Sequence, residues 1–202
     1  MNKARLTGVL LVLLAAGLAG AVRVHASARP HLAVLRPSAA NCGGSLWRMK
    51  TLSDRDRRRV TLAPRGTTLA AITSRRSPRP QPGRRVTPFQ KQAWEIVAEI
   101  TQYRLEGGEL RVELFDDNGY MNAVVPSPSC LVRVARGRNA MVEAWKRFTS
   151  CVRPTTEWQP FGGVAYIRGV GFWSQRRSPH GSAANGAELH PVTSFRIVSG
   201  CG

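Results

Sequence analysis

From about Lys91 onward, apolar and polar positions alternate with a period of two, which places successive side chains on opposite faces of a strand. In "AWEIVAEITQYR" the residues Trp94, Ile96, Ala98 and Ile100 share one face. After Gly107-Gly108, "GELRVELF" repeats the pattern with Leu110, Val112 and Leu114. "DDNG", Asp116 to Gly119, predicts a hairpin turn, because Asn-Gly accepts the positive φ angles that such turns need. "YMNAVVP" is a third strand, stopped by Pro126 and Pro128. The period then becomes helical in "GRNAMVEAWKRFTSC". There Met141, Trp145 and Phe148 recur at i, i+4 and i+7, and Glu143 can pair with Lys146 or Arg147. "GGVAYIRGVGFW" and "AELHPVTSFRIV" return to period two as fourth and fifth strands. Gly169 and Gly171 share a face of the fourth, predicting close approach of another backbone or a bend. Three strands, a helix and two strands is the order of an OB-fold. The pattern therefore predicts a mainly β protein: a small OB-like five-stranded barrel over 91–202, with one helix between strands 3 and 4.

The remainder of the chain is patterned differently. Residues 1–28 read as a signal peptide. Lys3 and Arg5 precede an uncharged run from Leu6 to Val22, and "VHASA" offers small residues for cleavage. Residues 29–41 are unpatterned and predict a flexible N-terminus. Residues 42–90 are expected to be an extended basic segment with one short strand, "SLWRMKTL". Within it, "TTLAAITS" suits either a helical turn or a short extended piece. "RRSPRPQPGRRVTP" holds four Pro and five Arg, which predicts an exposed, extended linker.

Charge narrows the class of partner. The formal net charge is +18, and losing Lys3, Arg5 and Arg23 with the leader would remove only three of the positive charges. Arg outnumbers Lys by 26 to 4. Guanidinium groups bind phosphates, sulfates and carboxylates bidentately. Nucleic acid, an anionic lipid surface and an anionic cell-envelope polymer are the candidate partners. Ten of the arginines lie between residues 55 and 85. On the barrel, Arg111, Arg168, Tyr103, Tyr120, Tyr166 and Trp173 could line a basic groove with stacking rings, with Tyr166 and Arg168 on one face.

The four cysteines, Cys42, Cys130, Cys151 and Cys201, all follow the leader and so meet an oxidising compartment. Their even number predicts two disulfides, with three connectivities open. No CxxC is present, which argues against a zinc cluster. The chain has no GxSxG nucleophile elbow and no Gly-Lys-Ser/Thr phosphate loop. Asp116-Asp117 belongs to a turn. We expect no metal, no cofactor, no stable membrane insertion once the leader is removed, and a monomer.

Glu188 and His190 are the best candidates for chemistry. Two apart in a strand, they share the face opposite Leu189, Phe195 and Ile197. They could act as a carboxylate that orients an imidazole, with His180 as a third member. Alternatively they pin the loop that begins at Gly181.

Several stretches together resemble a family of secreted bacterial proteins with an N-terminal CGxxxW segment and a C-terminal NGxELHPV strand. They are "CGGSLWRMKTLSD", "TLAAITS", "AEITQYRLEGGELRVELFDDNGYMNAVVPSPSC", "IRGVGFW" and "NGAELHPVTSFRI", in that order from Cys42 to Ile197. The resemblance implies a secreted, OB-like single domain without indicating an activity. It carries over Cys42 and Cys130, and so implies the pairs Cys42–Cys130 and Cys151–Cys201. Members often have an Asp-x-His step in the second strand, where this chain has Glu109 and Arg111. They also often have a His-Gly-Gln loop some eleven residues before the ELHPV glutamate, a place held here by Arg177, with His180-Gly181 three residues later. A guanidinium offers no lone pair to a metal, so these exchanges favour anion binding or hydrogen bonding at that place.

These observations lead to an exported, disulfide-stabilised binding module for an anionic polymer or another envelope component. Arg111, Tyr166, Arg168 and Arg177 are its candidate ligand-binding residues. The alternatives are a secreted phosphodiesterase-like hydrolase using Glu188, His190 and His180, or a purely structural envelope protein; whether the chain is an enzyme stays open at this level.

Overall fold

The computed structural model describes residues 42, 44–78, 83–117, 119–174 and 181–201. The expected signal peptide 1–28, the stretch 29–41, Arg177 and His180 lie outside the described residues. Six strands form one sheet: β1 (Thr61–Gly66), β2 (Gln92–Glu106), β3 (Glu109–Asp116), β4 (Gly119–Pro126), β5 (Gln159–Trp173) and β6 (Ala187–Ile197). They run in the order β1-β2-β3-β4-β6-β5, and β5 pairs back onto β2, closing β2–β6 into a five-stranded barrel. The barrel pairings are antiparallel except β4–β6, which is parallel. Helix α3 (Arg138–Thr149) lies between β4 and β5. The fold is OB-like, with the element order that periodicity predicted.

Alternation explains the interior. Ile96, Ile100, Leu110, Val112, Leu114, Met121, Ala123, Val125, Ile167, Leu189 and Phe195 form one buried cluster. Phe148 of α3 joins it, with its ring 5.3 Å from Tyr103 and 5.2 Å from Phe195. The 15-residue β2 serves two neighbours because its register shifts between Ile100 and Gln102, a bulge that bends the strand around the barrel. Gly171 is required by packing: a Cβ there would sit 2.2 Å from the Phe89 carbonyl oxygen.

The segment before the barrel differs from its expected extended form. "SLWRMKTL" is not a strand. Its centre is a helical turn, α1 (Trp47–Lys50), with Lys50 N donating to Leu46 O and Thr51 N to Trp47 O. The buried residues Met49 and Leu52 are three apart, a helical spacing that the shorter-range alternation obscured. "TTLAAITS" takes its helical option as α2 (Leu69–Thr73), capped by Thr68 Oγ1, which accepts from Ala71 N at 3.1 Å. Leu69 and Ile72 enter the main core. "TLAPRG" forms β1, an edge strand parallel to β2. Nor is the Pro/Arg-rich stretch wholly exposed: Arg85 is among the most buried large residues.

Two disulfides tie the ends to this body. Cys42 is bonded to Cys130 beyond β4, and Cys151 after α3 is bonded to Cys201 after β6. No described helix is long and apolar enough to cross a membrane.

Candidate functional site

The outward positions of β3, β4 and β6 carry polar side chains. β3 contributes Glu109, Arg111 and Glu113, β4 contributes Asn122, and β6 contributes Glu188 and His190. The register aligns Glu113 with Asn122 and Asn122 with Glu188. An outer barrel face would ordinarily be solvated, yet here every one of these side chains is buried. The N-terminal segment around α1 lies over the Glu109 and Arg111 end, while Gly181 and Ser182 lie against Glu113 and Asn122. Gly44, Leu46 and Lys50 face Glu109, Arg111 and Phe172 across a cleft of about 120 Å³.

Under this cover the charges are paired closely. His190 is 0% exposed. Its Nε2 lies 3.0 Å from Glu109 Oε1 and its Nδ1 3.7 Å from Glu188 Oε2. Neither contact is aligned as a good hydrogen bond. Arg111 Nη1 donates to Glu188 Oε1 at 3.3 Å, and Arg111 Nε to Glu106 Oε2 at 3.0 Å. Lys50 Nζ reaches Glu109 Oε2 at 3.5 Å, and Phe172 packs on the imidazole at 5.4 Å between ring centroids. Burial alone would raise the Glu109 carboxyl, but His190, Lys50 and Arg111 outweigh it and hold it down at about 2. Glu188 is likewise lowered: burial works against ionisation, while the His190 and Arg111 interactions favour it. Arg111 loses stability as a cation through burial, yet Glu188, Glu106 and Glu109 more than restore it, so its affinity for the proton is raised.

This arrangement gathers Glu188 and His190 with Glu109 and Arg111. The two imidazole nitrogens face different carboxylates, and the described residues contain no metal-suited group of three His, Cys, Asp or Glu. Its neighbours on the same face, Glu113 and Asn122, contact the described part of the Gly181 loop. Gly181 packs on Glu113, where a Cβ would sit 2.3 Å from Glu113 Cγ, and Asn122 Nδ2 donates to Ser182 Oγ at 3.3 Å. Asn185 Nδ2 donates to the Ile72 and Arg75 carbonyls, each at 3.0 Å.

The expected groove of arginines and rings is not assembled. Tyr103 and Trp173 are core residues, and Trp173 Nε1 donates to Thr87 Oγ1 at 3.1 Å. Tyr166 lies beneath the Arg196 guanidinium, 3.5 Å from the ring centroid, and Arg168 is paired with Glu95. Tyr120 is exposed but leans on Phe115.

A second polar centre was not anticipated. Arg85 Nε donates to Asp54 Oδ2 at 3.2 Å, Nη1 to the Gln90 carbonyl at 3.0 Å, and Nη2 to the Met49 carbonyl. Burial lowers the Arg85 guanidinium, with Asp54 the main opposing influence. Asp54 Oδ1 accepts from Asp56 N at 3.0 Å. Asp56 in turn faces Arg59 at 3.6 Å and Arg84 at 3.9 Å. Arg136 Nη1 braces the chain by donating to the carbonyls of Arg57, Arg58 and Val60. Around this centre, Arg48, Arg55, Arg58, Arg59 and Arg84 are exposed. A depression of about 810 Å³ opens between Trp47, Arg48, Arg55 and Arg84, over Asp54 and Asp56. The clue in the sequence was the "DRDRRR" run, whose two aspartates are spaced to buttress its arginines.

No family model matches the chain, and no curated protein matches it. Solved structures with related folds include a Leishmania major protein assigned as an aspartyl-tRNA synthetase (TM-score 0.43, 11% identity, 69% of this chain and 22% of that one). An asparaginyl-tRNA synthetase of Entamoeba histolytica aligns with a TM-score of 0.37 and 13% identity over 57% of this chain and 22% of its own. The OBody AM3L09, bound to hen egg-white lysozyme, gives 0.37 and 16% over 57% of this chain and 90% of its own. The chain thus corresponds to about a fifth of either synthetase.

Proposed function

We propose that the protein is an exported, disulfide-stabilised binding module for an anionic polymer of the cell envelope. The observation that carries this reading is the basic face built by residues 48–59 and Arg84. Five exposed arginines stand there around two aspartates that are themselves buried and engaged. Asp56 faces Arg59 and Arg84, so the face presents an excess of positive charge rather than a balanced one, and each phosphate or sulfate that it neutralises releases counterions. The leader-like N-terminus and the two disulfides support export. In this reading the Glu109–His190–Glu188–Arg111 cluster is a brace, since Lys50 and Cys42 fasten the basic segment to the barrel next to it. The hydrolytic alternative has less support, because His190 is closed to solvent and flanked by carboxylates on both nitrogens.

The test is polyphosphate and single-stranded oligonucleotide binding, titrated across salt. Affinity should fall steeply with ionic strength. Replacing Arg55, Arg58 and Arg59 with Ser should reduce the log–log slope by about 2. No binding at low salt, or a slope unchanged by the triple variant, would overturn the proposal.

A further inference from the structure

We infer a second, smaller anion site on a separate part of the basic segment, where Arg65 and Arg75 hold a single phosphoryl or sulfate group of the polymer. The inference rests on the polyanion reading and adds a defined place to it. Arg65 on β1 and Arg75 just after α2 line a pocket of about 440 Å³ with Gly66, Thr67, Gln92 and Trp94.

Three features set this pocket apart. The first is its charge. Three other depressions on the described surface each carry a carboxylate: Glu143 in one, Asp54 and Asp56 in another, Glu106 and Glu109 in the third. The Arg65–Arg75 pocket has none in its lining. Among the described residues, neither arginine forms an ion pair.

The second is preorganisation. The Arg75 guanidinium carbon lies 4.5 Å from the Trp94 ring centroid and 5.7 Å from that of Phe89. Asn185 donates to the Arg75 carbonyl. Stacking on two rings and a fixed backbone leave little side-chain freedom to lose when a ligand arrives.

The third is an unmet donor. Arg75 Nε, like Arg104 Nε and Arg138 Nε, is buried and has no acceptor among the described residues, although a buried N–H ordinarily has a partner. The Gln92 amide cannot serve the same ligand, because its Nε2 already donates to the Ala63 and Ala93 carbonyls at 2.7 and 2.8 Å. The donors that remain are the two guanidinium groups. Their planar forks suit a tetrahedral oxyanion better than any neutral ligand.

The experiment follows the Arg Nε–Hε signals by NMR during titration with inorganic phosphate, then sulfate, then polyphosphate. The full chain is used with its disulfides intact. The Arg75 and Arg65 signals should shift with all three, and with polyphosphate at far lower concentration. Arg65→Ala, an exposed edge-strand change that leaves the core intact, should weaken polyphosphate binding about tenfold. Arg75→Lys, which keeps the charge but loses the fork, should weaken it by a smaller factor. If polyphosphate binds both variants as it binds the wild type, while the Arg55/Arg58/Arg59 variant loses affinity, this site is wrong and the functional proposal stands. If the wild type binds no polyanion at all, the functional proposal itself fails. Shifts of the two signals with inorganic phosphate alone would then mark a free-phosphate site and overturn the polymer assignment.

Discussion

Arg85 and Arg65 come from the same basic segment, yet the fold uses them in opposite ways. Arg85 is enclosed, donates to Asp54 and to two carbonyls, and holds α1 against the short helical turn before β2. Arg65 stands at an open pocket with no carboxylate in reach. The same division separates Arg111, locked between Glu106 and Glu188, from Arg58 in the exposed basic face. A guanidinium enclosed with a carboxylate is part of the framework, because separating the pair would strand a charge in a poor solvent. One without a partner remains available to a ligand. The net charge of +18 therefore overstates how many arginines can recognise anything.

The largest test of this contrast is stability. Arg85→Ala should cost about 3–5 kcal/mol in urea unfolding, since it leaves Asp54 buried without its cation. Arg65→Ala should stay within about 0.5 kcal/mol. Equal costs would erase the distinction. An intermediate effect is expected from pH. Glu109 is held at about 2 in the folded protein, below its ordinary 4.5, and Glu188 is lowered too. The unfolded chain therefore takes up these protons first as pH falls. The contribution of the cluster should be complete above about pH 4.5, decline below it, and be gone near pH 2. Glu109→Gln should flatten that decline in acid-unfolding curves, and an unchanged slope would show that the cluster is not the cause. The smallest effect belongs to the partly exposed Arg168–Glu95 pair, where Arg168→Ala should change stability by less than about 1 kcal/mol. A larger loss would mean that exposed pairs, too, belong to the framework.

How much of this could be read beforehand varied with the kind of interaction. The five barrel strands and α3 were legible because facing alternates residue by residue, a local consequence of backbone geometry. β1 was missed: Pro64 lowers the strand signal of "TLAPRG", and only an edge position tolerates it. α1 was misread because one turn of helix is too short for its period to stand out from alternation. At the candidate site, the two-residue spacing put Glu188 and His190 on one outer face, and the family resemblance pointed to Glu109 and Arg111. Neither could indicate that a distant segment would lie over one end of that face, or that Lys50 would complete it from 59 residues away.

By itself, then, the sequence determined the strand periodicity, the order of elements that makes an OB-like barrel, the cysteines available for bonding and the excess of arginine. Only the tertiary structure decided which arginines are neutralised within the framework and which remain open. Ion pairing acts over a few ångströms and is governed by burial, and residues adjacent in the chain, such as Arg84 and Arg85, can differ completely in both.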